Sequence, residues 1–288
     1  MDGFLIINKP LGYTSRDAVN KVGKALHTKK IGHTGTLDPN ACGVMILAVG
    51  KALKMCELMN THCKEYIAEV ILGIETDTLD TDTNATIIRE ENVDIPKEKI
   101  IDTVNSFKGE YLQEVPKYSA VKVNGRKLYE YARSNTPVDL PKKKVTINDI
   151  SVIDDIKYDN NKVIFKIRAN VSTGTYIRSL VRDIGRKLNV PAVMNNLVRT
   201  SINNITIDDS YSLDDITNGN YKFISITDMF SDIPCISVNS EIAFKIKNGV
   251  ILDKFFDNEM AFIVNDKNEL LALYKNIDNK SRPYKMFI

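Results

Sequence analysis

The chain has 288 residues, 43% hydrophobic and 26% charged, with a formal net charge of +2. That size and composition suit a soluble protein with a real core, one large domain and a small one, while the net charge is too small to identify a partner. Four cysteines (Cys42, Cys56, Cys63, Cys235) are too few and too irregular for a disulfide framework. His62 beside Cys63 lacks the paired ligands of a structural zinc site. No apolar run has the length to cross a bilayer, and Asp2 without a basic leader argues against a signal peptide. The expected setting is cytoplasmic and reducing. Charge is uneven: nine Lys/Arg against four Asp/Glu over Met1–Lys64, and nine acidic against three basic over Glu75–Asp102. A weakly basic N-terminal part can attract phosphates or be an ordinary solvated face.

In chain order, Phe4–Ile7 is a short apolar strand, and Thr14 or Ser15 caps a helix carrying Ala18, Val19, Val22, Ala25 and Leu26 at helical spacing. Then comes GHTGTLDPNACG, from Gly32 to Gly43. Its one acidic residue, Asp38, precedes a proline and is thereby held extended. Gly32, Gly35 and Gly43 leave room for a bulky ligand to approach the backbone. A rigid carboxylate in an open, glycine-lined cleft is a candidate nucleophile; the alternative is an Asp-Pro turn serving only chain reversal. Val44–Val49 is a buried strand, a helix runs from about Ala52 to Asn60, and Tyr66–Gly73 is a strand with Tyr66, Ala68, Val70 and Leu72 on one face.

Asp80–Glu91, DTDTNATIIREE, resembles a calcium loop, but Ala85 stands where its sharp turn needs glycine and a strand precedes it. Pro116–Lys144 mixes Lys, Arg, Tyr and Pro, which suits a surface gripping a phosphate backbone and stacking on bases. An equally open reading is a solvated helix packed through Leu128, Tyr131 and Ala132. Val163–Val171 alternates as a half-buried strand and enters STGTYIRSLVRDIGRKL, a turn opening a helix. Arg178 sits in the first turn of that helix, where the dipole disfavours a cation. A carboxylate or phosphate partner explains it, as does a pair with Asp183 or simple exposure. From about Asp232, short strand-like runs (IAFKIKNGVIL, MAFIVNDKNELLALYK) suggest a small β-rich module, with a linker near Ser225–Ile233.

Together the segments FLIINKPLGYTS, GHTGTLDPNACG, KEYIAEVILGIETDTLD, VPKYSAVKVNGRKLYEYAR and STGTYIRSLVRDIG resemble the TruB family of tRNA pseudouridine synthases, over about Phe4–Arg199. The C-terminal segment resembles the family's PUA-like RNA-binding module more loosely. The resemblance implies an α+β fold: a pseudouridine synthase core on a mixed, mainly antiparallel sheet flanked by helices, plus a small β-rich C-terminal domain. The expected division is residues 1–231 for the catalytic domain, with an RNA-clamping insertion at about 116–144, and 232–288 for the PUA-like domain.

The implied activity is isomerisation of the T-loop uridine of tRNA (position 55) to pseudouridine. The base is flipped, detached from C1′, rotated and rejoined through C5, without a cofactor or metal. Asp38 matches the catalytic aspartate, attacking C1′ or abstracting a C2′ proton. Arg178 matches the arginine whose charge favours the ionised carboxylate, and Tyr66 the aromatic stacked on the target base. His33 matches the residue inserted where the extruded base lay. Lys9 and Pro10 match a motif bordering the cleft, and Tyr176 and Leu197 match positions of the uracil pocket that also suit ordinary core. Asp77 and Asp80 match an acidic motif, which accounts for that run without calcium. The chain departs from the family pattern at Asn40 and Cys42. The implied partner is the T-arm stem-loop of tRNA, with no membrane and no obligate protein partner. A non-catalytic RNA-binding or tRNA-folding protein on the same fold is the alternative.

Overall fold

Two apolar strands near the start of the chain are buried on both faces, at one side of a large sheet. In the computed structural model, which describes residues 1–59, 63–82 and 84–288, β1 (Gly3–Lys9) leads to α1 (Ser15–Ala25). Thr14 caps α1 and shares a reciprocal capping box with Asp17. Next come β2 (Ile31–His33) and β3 (Ala41–Val49). β1 and β3 pair antiparallel from Gly3 opposite Val49 to Lys9 opposite Gly43. Because side chains alternate across a strand, Phe4, Ile6, Val44 and Ile46 enter one core, while Leu5, Ile7, Met45 and Leu47 enter another with Ala18, Val19 and Val22 of α1. Burial on both faces explains why these strands read as continuous apolar runs.

The expected helix from Ala52 begins instead as a 3-10 segment, Gly50–Met55, before α2 (Cys56–Met59). Ala52 and Met55 are its buried residues, and their three-residue spacing suits that tighter winding. Asn60, the expected end, lies outside the described residues, as do His62 and Thr83. β4 (Lys64–Leu72) buries Tyr66, Ala68, Val70 and Leu72 as the alternation requires. β5 (Ile74–Thr76) and β6 (Ile87–Glu90) form a two-stranded ribbon. α3 (Lys97–Asn105) and β7 (Gly109–Glu114) precede the basic stretch. That stretch holds a small hairpin, β8 (Lys122–Val123) and β9 (Arg126–Lys127), then α4 (Leu128–Arg133).

β10 (Lys142–Asp159), β11 (Lys162–Val171), α5 (Ile177–Leu188), β12 (Ala192–Ile202) and β13 (Ile205–Thr206) complete the core. Lys142–Lys144 are the first rungs of β10, opposite Glu114, Gln113 and Leu112 of β7, and so belong to the sheet rather than to the basic excursion. The strand order is β1-β3-β12-β4-β11-β10-β7, with β2 on β3 and β13 on β12, nine strands in all. Among the described residues β3 with β12 is its one parallel pairing, so the sheet is mixed and mainly antiparallel. The α5 residues Ile177, Leu180, Val181, Ile184 and Leu188 cover the β4–β11 face with Ile100 and Val104 of α3.

α6 (Leu213–Thr217) and α7 (Ile226–Met229) lead into a five-stranded sheet. The expected linker near Ser225 is packed: Phe4 and Ile224 exchange backbone hydrogen bonds of 2.8 Å each way, and Ile226 and Phe230 are buried with Phe4. β14 (Cys235–Ser237), α8 (Ser240–Lys247), β15 (Leu252–Asp253), β16 (Met260–Val264), β17 (Leu270–Ile277) and β18 (Lys280–Met286) form the C-terminal part. The run IAFKIKNGVIL, expected as strand, is mostly α8. Asn239 caps it through Ile242 N–H at 2.9 Å, Ala243 and Ile246 supply its buried stripe, and Gly249 at φ 68° ends it. Phe262, Leu273 and Phe287 of this part join the core of Phe4 and Ile46.

Gly43 shows how tightly β3 and β12 approach. Its φ is 109°, and a Cβ there would lie 2.2 Å from the Arg199 carbonyl oxygen. Gly43 therefore serves strand contact, not ligand access as its place in the glycine-rich loop suggested. Gly43→Ala is expected to cost about 2–4 kcal/mol through strain and overlap; a urea midpoint like wild type would refute this.

Candidate active site

The loop between β2 and β3 carries Asp38, and four separate contacts fix it. Asp38-Pro39-Asn40-Ala41 closes as a β-turn with Ala41 N–H donating to Asp38 O at 3.0 Å, proline taking the second turn position that its φ favours. Ser15, buried at the start of α1, accepts from Leu37 N–H at 2.8 Å and donates to Leu37 O at 2.9 Å. Gly12 N–H reaches Pro39 O at 3.0 Å. Arg199 of β12 donates to Val44 O at 2.7 Å and to the Thr36 and Gly35 carbonyls at 3.3 Å each. The carboxylate thus stands on a loop pinned before and after it.

Asp38 meets Arg178. Nη2 of Arg178 lies 2.9 Å from Oδ2 of Asp38, and Nη1 lies 3.6 Å from Oδ2 of Asp80. The guanidinium also donates to Thr78 O at 3.0 Å and Tyr118 O at 3.2 Å. Four acceptors around one rigid planar fork explain why an arginine occupies the first turn of α5 against the helix dipole. Asp183 pairs instead with Arg182 and Arg186. The two carboxylates differ in setting: the Asp38 side chain is 43% exposed, whereas that of Asp80 is 7% exposed. Asp38 is therefore the one accessible to a ligand. Burial, with Asp38 as a smaller contributor, raises the Asp80 carboxyl above its ordinary value against the lowering effects of Thr78 and Arg178. Asp80 opens the calcium-like stretch, but it faces this arginine and a short bond of 2.6 Å from Thr78.

Asp38 opens onto a cavity of about 240 Å³ whose wall includes Tyr66, Tyr176, Arg178 and Leu197. That is slightly below the roughly 300 Å³ at which drug-sized pockets begin, so it suits a single small ring system with what is attached to it. Tyr66 and Leu197 lie on neighbouring strands, with Tyr66 opposite Arg199 and Leu197 opposite Ala68. Tyr176 is the N-cap of α5. Gln113, 1% exposed, holds it by accepting from its N–H at 2.8 Å and donating to its carbonyl at 3.1 Å.

Three expected site residues stand off this wall. Lys9 is fully buried, its ammonium donating to Pro10 O at 2.9 Å and Tyr13 O at 2.6 Å. Burial pushes that amine down to about 8 against the raising influence of Cys42 and Asp38, so Lys9 shapes the turn after β1. Pro10 borders a different surface depression with Asn8 and Cys42. His33 ends β2, its Nδ1 buried without a hydrogen-bond partner among the described residues. Burial first, then Arg199 and Arg16, holds its pKa below the usual imidazole value.

Conversely, Lys64 and Arg199 line the cavity without having been singled out. The signal was present: Lys64 shares strand parity with Tyr66, and Arg199 with Leu197, and residues two apart face the same way. Burial, aided by Arg199, lowers the Lys64 amine to about 8. The sign follows. Between about pH 8 and the unfolded value the unfolded chain binds more protons, so this group makes stability rise with pH there. Lys64→Met is accordingly expected to melt above wild type below pH 8, with the gap closing as pH rises beyond it. Thermal melts that stay parallel at every pH would contradict this.

The basic excursion is self-engaged. Arg126 stacks over Tyr131 at 4.7 Å, while Lys127 and Arg133 each lie 5.4 Å from the Tyr129 ring. Tyr131 donates to Val123 O at 3.0 Å, tying α4 to the hairpin, and Leu128 and Ala132 are the buried residues of α4.

A similar fold occurs in the structure of an H/ACA ribonucleoprotein bound to a substrate RNA containing 2'-deoxyuridine. The overlay has a TM-score of 0.69 at 23% identity, covering 99% of this chain and 85% of that one. The two chains thus share a fold. The N-terminal domain model of the TruB family of pseudouridylate synthases matches residues 23–177. A tRNA pseudouridine synthase B of Bacillus subtilis is 39% identical, covering 88% of this chain and 84% of its own length. The protein of that name in Halalkalibacterium halodurans is 37% identical over 99% of this chain and 97% of its own. This chain belongs to the TruB family of pseudouridylate synthases.

Proposed function

We propose that the protein isomerises a tRNA uridine, that of the T-loop, to pseudouridine, with Asp38 as the reacting carboxylate. The observation that carries this is the Asp38–Arg178 pair of 2.9 Å at a one-ring cavity walled by Tyr66, Tyr176 and Leu197. The base enters against Tyr66, and Arg178 holds Asp38 aimed at the sugar while the freed base turns to present C5. Half exposure leaves Asp38 open to the ribose, and the pinned loop keeps it oriented, so little reorganisation is needed as charge develops. His33 is the side chain that fills the gap left by the flipped base. Its lowered pKa makes it a neutral ring near pH 7, suited to a space between stacked bases.

Residues 1–231 act as the catalytic domain and 232–288 as an RNA-binding domain. The excursion, expected at about 116–144 and ending before the β10 rungs Lys142–Lys144, grips the T-arm, its Arg126, Lys127 and Arg133 being held over Tyr131 and Tyr129. The four cysteines are free, which suits a reducing cytoplasm. No helix among the described residues is long and apolar enough to cross a membrane. The test is tritium release from C5-labelled uridine in an unmodified T-arm hairpin, with EDTA present. Release establishes turnover without a chelatable metal; tight hairpin binding without release would favour an RNA-binding protein on the same fold.

A further inference from the structure

The cavity holds more positive charge than Asp38 needs. Arg178 is already answered by Asp38 and Asp80. Arg199 is 1% exposed and donates to three carbonyl oxygens, so among the described residues its charge is met by dipoles and not by a carboxylate. Lys64 is close by: a Cβ on Gly35 would lie 3.7 Å from both Arg199 Nη1 and Lys64 Cε, so the two cations flank that glycine. Lys64 Nζ donates to Thr173 Oγ1 at 3.2 Å, on the turn that closes the other side of the cavity. Gly174, on the same turn and also lining the cavity, has no atom within 4 Å of its Cβ position. Two like charges held side by side in a partly buried wall repel each other and resist desolvation, as the lowered Lys64 amine reflects. An anion placed between them reverses both costs.

We propose that Lys64 and Arg199 form a seat for one backbone phosphate of the RNA, a phosphodiester adjoining the nucleotide whose base occupies the cavity. This rests on the pseudouridine synthase reading, because it takes the ligand to be a flipped nucleotide with its ribose at Asp38. A nucleotide anchored at its base and at one phosphate has its sugar fixed between the two anchors, where Asp38 stands. Gly35 is the glycine of the loop that does admit ligand: a side chain there would intrude on the seat.

The test pairs protein and RNA substitutions. Hairpins carrying a neutral methylphosphonate at the linkage on either side of the target uridine are titrated against wild type, Lys64→Gln and Lys64→Arg. Thermal melting checks that each variant is folded. One methylphosphonate is expected to weaken wild-type binding about tenfold, and Lys64→Gln to weaken the unmodified hairpin by a similar factor. Combined, they should lose no more than about twofold beyond either alone, because both remove the same contact. Lys64→Arg should keep the sensitivity to that linkage. Losses that multiply at both linkages, or a wild type indifferent to both, overturn the seat. Turnover of the unmodified hairpin is read in parallel. Turnover with multiplying losses removes the seat alone, and coupled losses without turnover keep the seat and remove the isomerase reading.

Discussion

Asp38→Asn should lower turnover by at least about 10⁴-fold while changing hairpin affinity less than about threefold. The amide is nearly isosteric and keeps an oxygen for Arg178, so the loop contacts from Ser15, Gly12 and Arg199 remain. What is lost is the negative charge that the proposed reaction at the sugar requires. Arg178 retains Asp80, so the variant should fold like wild type. Residual turnover within a hundredfold of wild type in single-turnover tritium release would mean that Asp38 is not the reacting group.

The second large effect concerns stability and activity together. Arg178→Met leaves the buried Asp80 carboxylate without its cation and removes the guanidinium that spans Asp38, Thr78 and Tyr118. Breaking a buried pair from one side costs about 3–5 kcal/mol, because the surviving charge is stranded. Arg178→Lys keeps the charge but lacks the planar fork, so it should recover part of the stability and little of the turnover. Adding Asp80→Asn to Arg178→Met should restore much of the lost stability, since the stranded charge is then gone. A urea midpoint of Arg178→Met equal to wild type, or no recovery in the double variant, would show that this ion pair does not hold the site together.

That Asp38, Tyr66, Arg178, Tyr176 and Leu197 would share one cavity was implied by the resemblance to the TruB family, and the structure brings all five to one wall. Local pattern supplied only the pre-proline loop of Asp38, the strand face of Tyr66 and the helix start at Arg178. Lys9, Pro10 and His33 were harder, since burial of a side chain depends on what packs over it from distant parts of the chain. The misread strand at Ile242–Leu252 has the same origin. A short apolar run fits either period, and Asn239 at the cap and the packing of Ala243 and Ile246 decide for helix.

By itself the sequence determined the first strand and helix, the alternating faces of β4 and β11, the stiff Asp38 turn and the placement of an otherwise ill-suited Arg178 at a helix start. These follow from backbone sterics and periodicity, which act over a few residues. Only the tertiary structure decided that Asp80, rather than Asp38, is the buried partner of Arg178, that Gly43 is required by the backbone of Arg199, and that Lys64 and Arg199 share the cavity with Asp38. Each of these joins residues far apart in the chain. Burial and charge in a folded protein depend on what surrounds a group from every side, and local sequence supplies only one of those sides.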